Sequence, residues 1–226
     1  MSTLTMSAPT IQNPAADRLR RTSTGIALVL APLLLIAGNL LTTAGDSASP
    51  AWITKVATSA GGEQISIICF LLGFTAFIPA AFGLLGMVGR RGSLLGTLGA
   101  WLAAIGLMAF AGLETSGVAN IGVARSLPTA QAVRVITAME NVGAAGVIFL
   151  LGLGLPVGLI LVACAVRRAR LVPLWMPIIA ALGLLVVMFL ESTIGGIVGD
   201  LLMLASFGYV GVRLLAGAGI RDAVAA

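Results

Sequence analysis

Residues 63–116 read EQISIICFLLGFTAFIPAAFGLLGMVGRRGSLLGTLGAWLAAIGLMAFAGLETS, two apolar runs joined by Gly89-Arg90-Arg91-Gly92 and bounded by glutamates. Each run approaches the roughly 20 residues that a helix needs to cross ~30 Å of hydrocarbon. The stretch therefore predicts a helical hairpin in a membrane, with the arginine pair on one side and the acids on the other. Shifting the chain by 77 residues lays this unit on residues 140–193 without a gap. Glu63 falls on Glu140, Pro79 on Pro156, Arg90-Arg91 on Arg167-Arg168, Gly106 on Gly183, and Glu114-Thr115-Ser116 on Glu191-Ser192-Thr193, with 12 identities in 54 positions. Matches of Glu, Pro and Arg carry the weight, because these types are scarce here. Both copies run in the same direction, as in a parallel repeat about an axis near the membrane normal.

Working outward, six apolar runs follow one another: 24–44, 63–88, 93–113, 141–166, 173–190 and 197–216. The chain is 226 residues long, 59% hydrophobic and 9% charged, with a mean hydropathy of +1.11. A soluble domain carries about 25% charged residues and a disordered one has low hydrophobicity, so both classes are excluded. The stretch 173–216 would span ~66 Å as one straight helix, too long for a single crossing, so the turn Glu191–Gly196 predicts a hairpin. The expected architecture is an all-α, polytopic bundle of six transmembrane helices containing the two hairpins. Residues 1–23 are expected to be a disordered tail, 24–217 one membrane domain and 218–226 a short tail.

Lys and Arg set the orientation. With the N-terminus inside, inner segments hold Arg18, Arg20, Arg21, Arg90, Arg91, Arg167, Arg168, Arg170, Arg213 and Arg221, while outer loops hold Lys55, Arg125 and Arg134. This bias predicts a multi-pass protein of the cytoplasmic membrane with both termini cytoplasmic. The net charge of +5 is thus topological and calls for no nucleic acid. The long outer connections are 45–62 and 114–140, with a short surface helix expected at 128–139. The chain has no His, which excludes His-ligated haem, the usual zinc sites and Ser-His or Cys-His nucleophiles. Cys69 and Cys164 lie in apolar runs without metal or disulfide spacing. No cofactor and no metal is indicated.

The chemistry-bearing residues are carboxylates on the outer side, since acids at or within a membrane are costly and mark function. Glu63 and Glu140 begin descending helices, where an anion meets the positive end of the dipole and acts as a cap. Glu114 and Glu191 end ascending helices, where the dipole disfavours an anion. Counting ~1.5 Å per residue from Arg91 and Arg170 places them ~34 and ~31 Å away, at the hydrocarbon edge. Asp200, one turn into the sixth helix, is the deepest. Glu114, Glu191 and Asp200 are candidates for one polar pocket, with Thr115, Ser116, Ser192 and Thr193 adding neutral oxygens. Pro79 and Pro156 are candidate kinks, each removing one helical hydrogen bond, either opening a cavity or merely bending the bundle. Gly83, Gly86, Gly96 and Gly99 suit close helix packing.

An Arg-flanked first helix, Gly45-Asp46 in an outer loop, and a basic turn leading into the apolar helix from Arg167 to Gly183 resemble a group of small six-helix bacterial membrane proteins. That family is known only as a domain of unknown function. The resemblance covers most of residues 18–216 and implies the six-helix fold, with no activity to carry over. The bias of twelve Arg to one Lys is that of GC-rich bacteria. Three functions stay open. The pocket serves a small transporter or binding protein for a cation, proton or amphiphile in the bilayer; paired carboxylates serve a membrane-embedded enzyme; or the Gly-rich faces serve a partner subunit or homo-oligomer.

Overall fold

A computed structural model describes residues 14–43, 45–88, 92–190 and 192–217 of the chain. Among them the regular elements are helical: α1 (Pro14–Leu41), α2 (Pro50–Thr58), α3 (Gly61–Val88), α4 (Ser93–Ser126), α5 (Thr129–Glu140), α6 (Gly143–Gly152), α7 (Gly154–Arg168), α8 (Trp175–Phe189), α9 (Thr193–Met203) and α10 (Tyr209–Leu215). A π-helical turn, Leu204–Gly208, joins the last two. Among the described residues five segments are long and apolar enough to cross a membrane: Ala15–Leu41, Gly61–Val88, Ser93–Ser126, Gly146–Arg168 and Thr193–Leu215. The fifth expected run gives α8, whose 15 residues extend ~22 Å.

The long helices form a closed ring. α1 packs on α3, α3 on α4, α4 on α7, α7 on α8, α8 on α9, and α9 with α10 returns to α1. Neighbours are antiparallel: Gly83 meets Thr24 and Gly73 meets Leu35 between α3 and α1, while Gly96 meets Ala165 and Gly106 meets Leu155 between α4 and α7. The ring therefore has two ends. One carries Arg18, Arg20, Arg21, Arg167, Arg168 and Arg213; the other carries Asp46, Lys55, Glu63, Arg125, Arg134 and Glu140. The outer surface is apolar, with Leu33, Leu72, Trp101, Met108, Phe149 and Leu182 all exposed. A water-soluble monomer does not present such a surface.

Several expectations change. α1 begins at Pro14, so Asp17 to Ser23 are helical rather than tail, supported by the 3.1 Å Arg20–Asp17 ion pair one turn apart. Residues 1–13, Arg90, Arg91, Glu191 and 218–226 lie outside the described residues. The helix expected over 93–113 continues to Ser126, because nothing between Glu114 and Leu127 breaks it. It stops where Pro128 forces Leu127 into extended backbone (φ −120°, ψ 150°). At ~1.5 Å per residue its 34 residues extend ~51 Å, well beyond the hydrocarbon. The excess joins α2 and α5 in a separate apolar cluster of Trp52, Ile53, Val56, Ile67, Ile121, Ala124, Ala132 and Ile136. The expected outer loops are thus largely a helical cap.

The two prolines act differently. α3 runs unbroken through Pro79, whereas the helix expected over 141–166 is divided at Leu153 into α6 and α7. Pro156 has no N–H for the Gly152 carbonyl, and the Leu153 amide turns back to the carbonyls of Phe149 and Leu150. The hairpin at 191–196 starts α9 at Thr193 instead of 197, with Ser192 accepting from the Gly195 amide at 3.0 Å as N-cap.

Close approach at glycine holds α4 against α7: a Cβ on Gly106 would fall on the Leu155 backbone nitrogen, while one on Gly112 would meet nothing within 4 Å. Gly106→Val is expected to destabilise the detergent-solubilised protein by about 3 kcal/mol. Gly112→Ala is expected to be neutral or stabilising by up to ~1 kcal/mol. Thermal unfolding of the two variants checks the pair.

Candidate functional site

The ring encloses a cavity of about 80 Å³ lined from six helices: Leu35 and Asn39 of α1, Phe70, Phe74 and Phe77 of α3, Phe110 of α4, Leu155 and Leu159 of α7, Leu184 and Val187 of α8, and Asp200 and Met203 of α9. Two polar side chains, Asn39 and Asp200, face this apolar lining. Asp200 is 2% exposed. Its Oδ2 accepts a 2.8 Å hydrogen bond from Asn39 Nδ2, and the same amide group donates to the Leu35 carbonyl at 3.2 Å. Both N–H bonds of the carboxamide are thereby directed, and its side chain is fixed in the wall.

Asn39 reaches Asp200 because α9 is bare beside it. A Cβ on Gly196 would collide with the Asn39 carboxamide. The carboxylate lies one turn before the π-helical Leu204–Gly208 segment, whose Phe207 packs edge-on to Phe77 with ring centroids 5.9 Å apart. Single π turns inside α-helices are frequent at functional sites. The rings of the cavity also pack together: Phe70 stacks near Phe74 at 6.2 Å, and Phe74 meets Phe110 at 5.6 Å.

Among the described carboxylates Asp200 lines the cavity, and Glu63, Glu114 and Glu140 do not. Glu114, expected at a helix end, lies within α4, so the dipole gives no reason for its position; it is close enough to Glu63 for their charges to interact. Glu63 does sit in the first turn of α3. It accepts from the Thr43 amide at 2.6 Å and the Thr42 hydroxyl at 3.3 Å, and so ties the residues that follow α1 to the first turn of α3. Glu140 ends α5 rather than starting a membrane helix, and its exposed carboxylate accepts from Ser47 at 2.6 Å. Thr115 and Ser116 donate to the Ala111 and Leu113 carbonyls of their own helix, and Ser192 is occupied as an N-cap. Thr193 is the first residue of α9 and half-buried. Neither Thr115, Ser116, Ser192 nor Thr193 lines the cavity.

Asn39 and the four phenylalanines were not singled out in the sequence. Asn39 was open to detection as a carboxamide within an apolar run, a costly placement. The phenylalanines carry no such signal, being indistinguishable from lipid-facing residues. Among the described residues, no three His, Cys, Asp or Glu side chains are grouped to hold a metal ion. No protein-family model, no curated protein and no solved structure matches the chain.

The Asn39–Asp200 bond depends on both residues and on Gly196. Asn39→Leu is expected to cost ~1–3 kcal/mol by leaving a buried acceptor without its donor. Gly196→Ala should have a similar effect by displacing Asn39. The double variant should fall well short of the sum, since the two act on one interaction; additive losses in detergent melting experiments would exclude this linkage.

Proposed function

We propose that the chain is a membrane-embedded binding protein or small transporter whose ligand occupies the central cavity, with Asp200 as the charged anchor and Asn39 as its orienting partner. One observation carries this reading: a buried carboxylate, without an ion pair among the described residues, faces a cavity that is otherwise apolar. An uncompensated buried charge is costly, and a fold that needed only packing would place a leucine there. A proton or a cationic ligand group relieves the cost, so exchange between the two is the natural chemistry of the site. The paired-carboxylate enzyme needs a second titrating group, and the neighbour of Asp200 is a neutral carboxamide. That favours binding over the enzyme reading.

The transmembrane arrangement we propose has six crossings, with α8 as the short one, and both termini cytoplasmic. The excess of described helix arginines at one end of the ring, six against Arg125 and Arg134 at the other, supports it. The repeat would then relate α3–α4 to α6/α7–α8, two antiparallel hairpins of which the second is interrupted. In a background lacking Cys69 and Cys164, an impermeant maleimide should label Thr129→Cys in intact spheroplasts and Arg168→Cys only after permeabilisation. The reverse pattern would invert the orientation.

The site itself is tested by stability. If Asp200 is retained for a ligand, Asp200→Asn relieves an unpaired charge and raises Tm in detergent, by about 2–4 °C for each kcal/mol gained in a chain of this size. Asparagine at 200 still offers Asn39 an acceptor oxygen, so the substitution isolates the charge; if the carboxylate's charge serves the fold, Tm falls and the binding reading is lost.

A further inference from the structure

We infer that the occupant of the central cavity is a small organic cation, a protonated amine of about two or three non-hydrogen atoms, held between the Asp200 carboxylate and the phenyl rings of Phe70, Phe74, Phe77 and Phe110. The inference rests on the binding reading above and names the ligand class. Three properties of the cavity select it.

The first is charge. Asp200 contributes a negative group and no lysine or arginine lines the space, so an anionic ligand would meet repulsion without compensation. The second is the scarcity of polar partners. Beyond Asp200 and Asn39 the lining is Leu, Phe, Val and Met, and the Asn39 amide protons are already committed to Asp200 and Leu35. A sugar or other polyhydroxylated ligand would bury hydroxyls without partners, each at a cost. A bare alkali or alkaline-earth ion prefers six or more oxygens, whereas this site supplies one carboxylate and one carboxamide oxygen. An alkylammonium ion asks for little: its charge is spread over methyl or methylene groups that tolerate an apolar wall.

The third property is the aromatic lining. The faces of phenyl rings attract cations through their quadrupole, and desolvated sites strengthen the attraction; pockets for quaternary ammonium groups use this interaction. Four of the twelve lining residues are phenylalanine, and they come from α3 and α4, while the carboxylate and carboxamide come from α9 and α1. A cation in the cavity therefore has rings on one side and negative charge on the other. Size limits the ion, since about 80 Å³ is the share of two to three water molecules at ~30 Å³ each, enough for an ammonium ion of two or three non-hydrogen atoms and too small for an amphiphile with a long chain.

The test compares ethylammonium with ethanol, a neutral molecule of the same size and shape, by isothermal titration calorimetry on the purified full-length protein, with potassium chloride matching ionic strength. Saturable ethylammonium binding is expected, at least tenfold tighter than ethanol, abolished in Asp200→Asn and weakened on the order of tenfold in Phe74→Leu. Equal binding of the two probes would show a cavity that selects by shape and apolarity, and would overturn the cation assignment. So would absence of ethylammonium binding to the wild-type protein. Either failure is distinguished from failure of the binding reading by the Tm of Asp200→Asn: a raised Tm keeps a binding site for another ligand class, and a lowered one removes both.

Discussion

Between helices in lipid there is no hydrophobic drive to association, because the acyl chains are as apolar as the side chains they would replace. What remains is van der Waals contact at short range, which rewards small residues that let backbones approach. The ring depends on this at three glycine pairs. A Cβ on Gly99 would stand 2.8 Å from the Gly158 carbonyl oxygen, one on Gly199 2.7 Å from that of Gly183, and one on Gly211 2.7 Å from that of Gly25. These contacts join α4 to α7, α8 to α9 and α10 to α1. With the circumference fixed at backbone distance, large side chains such as Phe74, Phe77 and Phe110 are left to line the interior, where their packing leaves the central cavity.

The same constraint makes the polar site. α9 is rich in glycine at 195, 196 and 199, and the gap at Gly196 lets α1 present a carboxamide to the next turn of α9. Close packing and the Asn39–Asp200 bond are thus one arrangement seen at two places on a helix. A larger residue at 196 would remove the donor and leave the carboxylate buried without it. The cap follows a different logic. Its core of Trp52, Ile121, Ile136 and their neighbours lies beyond the ~30 Å of hydrocarbon, where water restores the hydrophobic effect. Short amphipathic helices suffice there.

The amino-acid sequence was informative where composition and spacing carry physical meaning. Apolar length identified the membrane helices, arginine placement identified one end of the ring, and the depth of Asp200 was legible from its distance past Gly196. Polarity misled where it was taken for an end of structure. Glu114-Thr115-Ser116 resembled a helix terminus, yet α4 passes straight through, because Thr115 and Ser116 return their hydroxyl protons to helix carbonyls and the cap supplies packing further on. Glu140 resembled the start of a helix and is the end of one, since Asn141 and Val142 intervene. Convergence of carboxylates was inferred from their common end of the molecule, but which face of a helix a residue occupies depends on crossing geometry. Glu114 faces towards α3 and Glu63, while Asp200 faces α1.

The cavity has walls of unequal stiffness. α3 and α4 each carry cavity rings and cap residues on one continuous helix: Phe70, Phe74 and Phe77 with Ile67, and Phe110 with Ile121 and Ala124. The aromatic wall is therefore held at two levels, by the ring and by the cap. Asp200 stands on α9, immediately before a π turn with one residue more per hydrogen-bonded loop than an α turn. Returning that turn to α-helical hydrogen bonding would rotate one part of the segment against the other, moving Asp200 relative to Phe207 and the buried face of α10. Small displacements on α9 alter the reach between carboxylate and rings without disturbing the rings themselves. On the binding reading proposed above, adjustment to an occupant falls on the charged wall, where a fraction of an ångström changes an electrostatic contact most.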